Sequence, residues 1–329
     1  MASVAAPSSV SVIILGTRRR ALERCLESLS AALPPRPFEV LVVLNGSREL
    51  SLGHLAPWRR RLPLHVLALP AAPLGRARNA ALRVARGEVL VFLDDDAVVP
   101  PGFFAALELK LAQYPAASVL GGPNITPPGS APFERLAGAL LSSRFGAGRM
   151  SRRYRGFAQD EWTDDSSLML CNLALRRGAV DAGARFDDGL ARNEENLLVQ
   201  RLARRGGRAL HSPDLFVWHE RRSGPAAFLK QCFSSGLGRG QMTRLAPGTL
   251  RPDHLAPLVL LAAAAAAARS APAAAAVTAY ASASAVAAWG AARGERRRFA
   301  AAVALWLLFP AAHAAYAAGV LAGAVWPRR

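Results

Sequence analysis

From His254 to Val325 the chain is built almost wholly from Ala, Leu, Val and other apolar residues. Its charges there fall in short breaks at Arg269, Arg293 and residues 295–298. In a bilayer every backbone polar group must be satisfied internally, which restricts such a stretch to helices or closed barrels. Phe299–Val325 is 27 residues; at about 1.5 Å per residue a helix of that length exceeds a hydrocarbon core of roughly 30 Å. Ser270–Ala292 is also long enough but Ala-rich and weakly apolar, and Leu255–Ala268 is short, ending in seven consecutive alanines. The pattern predicts two or three membrane helices over 253–329. A buried Ala-rich bundle in a soluble protein would read the same way, but the length and the scarcity of charge favour the membrane. A 255–292 hairpin would return Arg293 and Arg296–Arg298 to the cytosolic side, as the positive-inside rule prefers, whereas Arg328-Arg329 would end outside, against it.

The preceding residues have ordinary globular patterning. With 52% apolar and 19% charged residues in 329, the chain is not disordered and has room for about two domains. The formal charge is +18, most of it before His254, and every basic residue except Lys110 and Lys230 is arginine. The arginines are scattered, and no finger, helix-turn-helix or RNA-binding pattern accompanies them, so the expected partner is a membrane surface or a diphosphate-bearing ligand, not nucleic acid. Cys25, Cys171 and Cys232 are too few and too far apart for a disulfide framework or a zinc motif. Met1–Ser9 lacks a basic region followed by an apolar run, which predicts no signal peptide and a front domain in the cytosol.

Val10–Leu15, Phe38–Leu44, Leu64–Leu69 and Val89–Leu93 are short, β-branched-rich runs, and they alternate with helical patterns at Arg20–Ala32 and Ala77–Ala85. That order predicts an α/β fold with a mainly parallel sheet flanked by helices. Ligands bind such sheets beyond the carboxyl ends of the strands, where Gly16-Thr17, the Asn45-Gly46-Ser47 turn and Asp94–Asp96 would lie. Residues 121–165, rich in Pro, Gly and Arg, read as loops and mobile surface. Leu168–Leu175 reads as a strand, Asn193–Arg205 as a helix and Ala209–His219 as strand and turn. Phe228–Met242 reads as an amphipathic helix, with Phe228, Cys232 and Phe233 on one side and Lys230 and Arg239 on another.

Three groups carry chemistry. Val89–Asp96 delivers three carboxylates at the end of an apolar strand; their repulsion is tolerated where a divalent cation and phosphate oxygens sit among them, although an acidic loop start would look similar. Glu194-Glu195 opens a helix after Asn193; acids there complement the dipole, and one facing the metal could deprotonate a hydroxyl. His219, ending Asp214–His219, could complete a metal shell or be a core histidine.

Taken together these motifs resemble family-2 inverting glycosyltransferases of the GT-A fold, chiefly the bacterial membrane-anchored ones of cell-surface polysaccharide synthesis. The matching segments are residues 11–17, 39–47, Gly75–Ala81, Gly87–Asp96, Cys171–Arg177 and Phe186–Leu190 followed by Asn193–Glu195. The resemblance covers about residues 10–240. It implies a catalytic domain over 1–225, a membrane-interface segment over 226–252 and membrane helices over 253–329. It further implies a nucleotide-diphosphate sugar donor, Mg²⁺ or Mn²⁺, and a multi-pass protein of the inner membrane with its catalytic domain cytosolic. By resemblance, Asp94, Asp96 and His219 hold the metal, while Thr17, Asn45, Arg78, Asp94 and Asp95 line the nucleotide. Glu195 is the general base with Glu194 beside it, and Asp164, Asp165 and Asn172 face the acceptor.

The sequence also departs from the family pattern. Gly16-Thr17-Arg18 lacks the usual Pro before Thr and the Tyr or Asn after it. Leu44 stands where the second strand ends in Asp, and Glu195 replaces the commoner Asp. The Gln-x-x-Arg-Trp of processive synthases is absent, which implies one sugar added per encounter. The tail implies a lipid-linked acceptor, with helix 228–242 at the bilayer surface, and a mobile loop near 142–165 would close over the site. Two other readings stand beside transfer: a catalytically silent nucleotide-sugar binding or scaffold subunit, and a nucleotidyltransferase.

Overall fold

The computed structural model describes residues 9–46, 50–190 and 192–325. Ser47 of the predicted turn, residues 1–8 of the leader reading and Arg328-Arg329 lie outside them. The chain divides into two compact units. The first comprises Met1–Pro127, Arg155–Gly189 and Glu194–Glu220; the second comprises Pro128–Tyr154, Leu190–Asn193 and Arg221–Arg329. Residues 128–154 and 190–193 thus group with the apolar tail, a division that differs from one drawn at 225 and 252.

The first unit is α/β. Its strands are β1 (Val10–Gly16), β2 (Phe38–Asn45), β3 (Leu64–Leu69), β4 (Val89–Asp94), β5 (Ala97–Val98), β6 (Ala117–Gly121), β7 (Asn124–Ile125), β8 (Glu161–Thr163), β9 (Asn172–Arg176), β10 (Arg208–His211) and β11 (Val217–His219). Eight form one sheet in the order β3-β2-β1-β4-β9-β6-β10-β8, and β5-β11-β7 form a small second sheet. Strands β1 to β4 pair in parallel, while β9 runs antiparallel between β4 and β6. The helices between these strands are α1 (Arg19–Ala31), the single turn α2 (Leu52–Leu55), α3 (Leu74–Val84) and α4 (Phe103–Gln113). Alternation along β1 sends Val10, Val12 and Ile14 into one core and Ile13 and Leu15 into the other. Leu22, Cys25, Leu26 and Leu29 of α1 fill the first core at the helical spacing read from sequence.

The stretch 121–165 corrects the expectation of loops throughout. It contains β7, β8, α5 (Pro132–Ser142), the single turn α6 (Arg144–Ala147) and a 3₁₀ turn over Gly148–Tyr154. Pro132 opens α5, Glu134 accepts from the Ala131 N–H at 2.9 Å, and Ala137 and Leu140 supply a buried face. The strand expected over 168–175 begins only at Asn172. After it come α7 (Arg177–Asp181) and α8 (Glu194–Ala203).

The second unit is helical. To α5 and α6 it adds α9 (Pro225–Leu245), α10 (Pro252–Ala266), α11 (Ala271–Ala291) and α12 (Arg298–Val325). Among the described residues α11 and α12 are long and apolar enough to cross a membrane, and α10 is shorter. Helix α9 is not amphipathic in the expected sense: Phe233 is 38% exposed, whereas Arg239 is 2% exposed. The cause is α12. Gly236 and Gly240 of α9 face Gly319 and Gly323 of α12 so closely that a Cβ on any of the four would overlap backbone of the other helix. Two small-x-x-x-small stripes therefore let the backbones meet, and that contact, not a division into polar and apolar sides, sets which residues of α9 are covered.

Candidate active site

The site lies at the carboxyl end of the parallel strands. Strand β4 runs between β1 and β9 into Asp94-Asp95-Asp96, and β1 ends beside it at Gly16. Asp95 is buried and turned toward the β1 loop. Its Oδ2 accepts from the Thr17 N–H at 2.8 Å, the Thr17 hydroxyl at 2.9 Å and the Arg18 N–H at 2.9 Å. The Arg18 guanidinium then spans two carboxylates, 2.5 Å from Asp95 Oδ1 and 2.7 Å from Asp96 Oδ2. Burial opposes ionisation of Asp96, but His219 and Arg18 outweigh it and hold its carboxyl well below the usual range. Burial likewise opposes the charge on Arg18, and Asp95 and Asp96 more than compensate, raising its pKa.

His219 arrives through the small sheet. In β11 it pairs antiparallel with Ala97 of β5, the residue after Asp96. Its Nε2 lies 3.1 Å from Asp96 Oδ1 and 3.7 Å from Asp94 Oδ2. The structure thus gathers Asp94, Asp96 and His219, the three metal candidates of the sequence.

A second ionic link crosses the site. Arg78, buried on α3, pairs closely with Glu194, and its Nη2 stands 3.9 Å from Asp94 Oδ1. Glu194 and Glu195 are both buried in the first turn of α8. Helix α3 is fixed by the loop before α8. The Asn79 amide donates to the Phe186 carbonyl at 2.9 Å and to Asp188 Oδ1 at 2.7 Å, and accepts from the Phe186 N–H at 3.0 Å. A Cβ on Gly75 would overlap the Asp187 carbonyl, so only glycine allows that approach.

The remaining candidates are each held by hydrogen bonds within the protein. Asn45 spends both ends of its amide on Ala72, donating at 2.8 Å and accepting at 2.9 Å. Asp165 braces α8: it accepts from Asn196 through its carbonyl at 2.6 Å and from Gln200 through its carboxylate at 3.2 Å. Asn172 donates to the Leu215 carbonyl. Asp164 caps its own turn, accepting from the Ser166 N–H at 2.8 Å. The hydrogen bonds of Asn45, Asp165 and Asn172 hold these side chains in fixed positions within the fold.

Sequence reading missed two residues. Arg18 stands out in the sequence only as a departure from the family pattern, yet its guanidinium spans two of the three carboxylates, Asp95 and Asp96. Cys171 is too far in sequence from the other cysteines to signal a metal motif, yet the β4–β9 register ends with Leu93 opposite Asn172, so the next residues along, Asp94 and Cys171, are neighbours. A ligand atom from each of Asp94, Cys171 and His219 lies within 4.8 Å of the others. One carboxylate, one imidazole and one thiol so placed fit a divalent cation with positions left for ligand oxygens.

The family model for glycosyl transferase family 2 matches residues 11–182, more than half of the chain, from the second residue of β1 to beyond β9. The chain belongs to this family. It is a glycosyltransferase with the GT-A fold. It is similar to the succinoglycan biosynthesis protein ExoM of Rhizobium meliloti (strain 1021), 27% identical over 235 residues, which is 68% of this chain and 72% of ExoM. Among solved structures it is similar to the mannosyltransferase PcManGT from Pyrobaculum calidifontis in complex with GDP-Man and Mn²⁺. That likeness has a TM-score of 0.65 at 18% identity, covering 98% of this chain and 88% of the other. It is also similar to S. aureus TarS 1–349 in complex with UDP-GlcNAc, with a TM-score of 0.51 at 16% identity, covering 95% and 91%. At these identities the structures speak to the fold alone.

Proposed function

We propose that this glycosyltransferase moves a sugar from a nucleotide-diphosphate donor to an acceptor hydroxyl in polysaccharide biosynthesis, with inversion and with a divalent cation. The observation that carries the reading is the link Asp94–Arg78–Glu194. One buried arginine joins the acidic strand end to the helix start that carries the candidate base. The donors PcManGT and TarS are shown with, GDP-Man and UDP-GlcNAc, support a nucleotide-sugar donor, and the Mn²⁺ in the former supports a metal. The name of ExoM supports the polysaccharide setting.

In this reading Asp94, Asp96 and His219 hold Mg²⁺ or Mn²⁺. A bound cation there would offset charge on the departing diphosphate. Arg18 and Arg78 add fixed positive charge at the same strand ends, favouring a diphosphate. Glu195, which stands at the family's general-base position by resemblance, takes the acceptor proton as the hydroxyl attacks the anomeric carbon from the face opposite the diphosphate. One such displacement inverts the centre and requires no covalent nucleophile on the protein. With α11 and α12 long enough to span a bilayer, the acceptor is lipid-linked and the enzyme sits in the inner membrane with its α/β unit cytosolic.

The deciding measurement is Glu195→Gln against wild type with a panel of nucleotide sugars and Mn²⁺. Turnover should fall roughly 10²–10⁴-fold, with donor affinity unchanged by calorimetry. A glutamine variant with full turnover would remove Glu195 from the base role. Donor transfer that persists in EDTA would remove the metal.

A further inference from the structure

Cys171 has no place in the metal set carried over from the family, yet it shares a site with two members of that set. Three separate elements deliver the group: the end of β4 brings Asp94, the residue before β9 brings Cys171, and the end of β11 brings His219. Their ligand atoms lie within 4.8 Å of one another. Metal bonds of about 2.0–2.3 Å place tetrahedral ligands roughly 3.3–3.8 Å apart, and His219 Nε2 already stands 3.7 Å from Asp94 Oδ2.

The distribution of positive charge points to the same three residues. Arg18 spans Asp95 and Asp96 at 2.5 and 2.7 Å, whereas Asp94 faces Arg78 at 3.9 Å and His219 at 3.7 Å. Asp94 is also the most open of the triplet, with its side chain 37% exposed against 4% for Asp95 and Asp96. It is therefore the carboxylate of the three best placed to gain from an added cation. Cys171 is 1% exposed, and a thiol in so dry a place makes a thiolate bond that water competes for poorly.

We infer that Cys171 is a further ligand of that metal, placed beside Asp94 and His219 so that the site takes a thiophilic or borderline divalent cation of the Zn²⁺ and Co²⁺ class more tightly than Mg²⁺. The inference rests on the metal-dependent reading above and adds to it the donor that decides which metal is held. A thiolate is a soft donor, and soft donors favour the later first-row ions. As the sulfur–metal bond forms, the Cys171 S–H bond breaks and its proton leaves to solvent. No oxidant or reductant is involved. The remaining metal positions stay open to diphosphate oxygens, and Arg18 stays on Asp95 and Asp96.

The test is a Co²⁺ titration of the full chain in detergent under reducing conditions, followed by absorption. Sulfur-to-cobalt charge transfer gives a near-ultraviolet band that oxygen and nitrogen ligands do not give. The band should appear in wild type. It should persist in Cys25→Ala/Cys232→Ala, where Cys171 is the sole thiol, and be lost in both Cys171→Ser and Cys171→Ala. Zn²⁺ affinity in those two variants should fall by at least about tenfold, with Mg²⁺ affinity unchanged. Because the sole-thiol chain retains Cys171, the claim stays testable even if the two Cys171 variants fold poorly. Cobalt that binds wild type without the band, a band that survives loss of Cys171, or no cobalt binding at all overturns the inference.

Binding of UDP and GDP in the presence of Mn²⁺, measured on the same samples, separates this inference from the functional reading. Nucleotide binding without the cobalt band overturns the cysteine ligand and leaves the transferase reading intact. The band without nucleotide binding upholds the ligand and counts against the donor site.

Discussion

At the carboxyl edge of the sheet, elements far apart in sequence are held together by charged side chains. Arg18 ties the β1 loop to Asp95 and Asp96, Arg78 ties α3 to Glu194, and His219 ties β11 to Asp96. In the helical unit α9 and α12 are held together by omission, through four glycines that bring backbone against backbone. The contrast follows from what each place must do. A site that receives a diphosphate and a cation needs charges fixed before the ligand arrives, and buried ion pairs fix them at a cost in desolvation. A helix pair that includes a candidate membrane span gains little from further apolar side chains, since lipid is as apolar as leucine, and gains more from close van der Waals contact.

Cutting the charged side of this contrast should have the larger effect. Arg78 and Glu194 are 7% and 4% exposed, so Arg78→Met would strand a buried carboxylate. That is expected to cost about 3–5 kcal/mol of unfolding free energy, read by denaturant unfolding. Adding Glu194→Gln should return a substantial part of the loss, because the stranded charge is then gone. A single Arg78→Met variant as stable as wild type would show that the pair organises the site without holding the fold.

The glycine side predicts a smaller loss with a different signature. Gly319→Ala puts a Cβ against the backbone of Phe233, which can yield only if α9 moves. Overpacking of this kind costs about 1–3 kcal/mol, and it should appear as reduced stability in mixed micelles that does not vary with salt. A salt-dependent loss would place the contact in the electrostatic class and erase the distinction between the two regions.

The two regions also differed in how far the sequence disclosed them. Strand positions from β1 to β4 were legible because β-branched runs between turn residues leave little choice of period, and Asp94–Asp96 stood out because three adjacent carboxylates need a reason. Cys171 beside Asp94 was not legible: an antiparallel register between strands nearly eighty residues apart is a tertiary fact. Arg18 was hidden for a related reason, since its partners lie on β4, across the β1–β4 pairing. In 121–165 the prolines and glycines that suggested loops are ends of short elements, with Pro132 the first residue of α5. For α9, the glycines that weaken an amphipathic pattern are the contact surface itself.

A further charged contact tests whether ion pairs in this protein matter only when dry. Lys110 of α4 lies 2.8 Å from both Asp160 and Asp214; Lys110 and Asp160 are 13% and 10% exposed, whereas Asp214 is 58% exposed. Burial alone would raise the Asp160 carboxyl, but Lys110, Ser212 and Tyr114 outweigh it and hold its pKa below the ordinary value. Burial would lower Lys110, yet Asp160 and Asp214 outweigh it and raise its pKa. A depressed carboxyl contributes stability that is present above its unfolded pKa of about 4 and is lost as pH falls through the folded value. A raised amine contributes below its unfolded pKa of about 10.4 and loses that contribution as pH rises through the folded value. Asp160→Asn should therefore destabilise by only about 1 kcal/mol, since Asp214 still faces Lys110. The gap from wild type should be level from about pH 5 to pH 10 and narrow beyond both ends. A gap as large as that of Arg78→Met would mean that partial exposure does not weaken these pairs, and the contrast between a dry site and a wet rim would not hold.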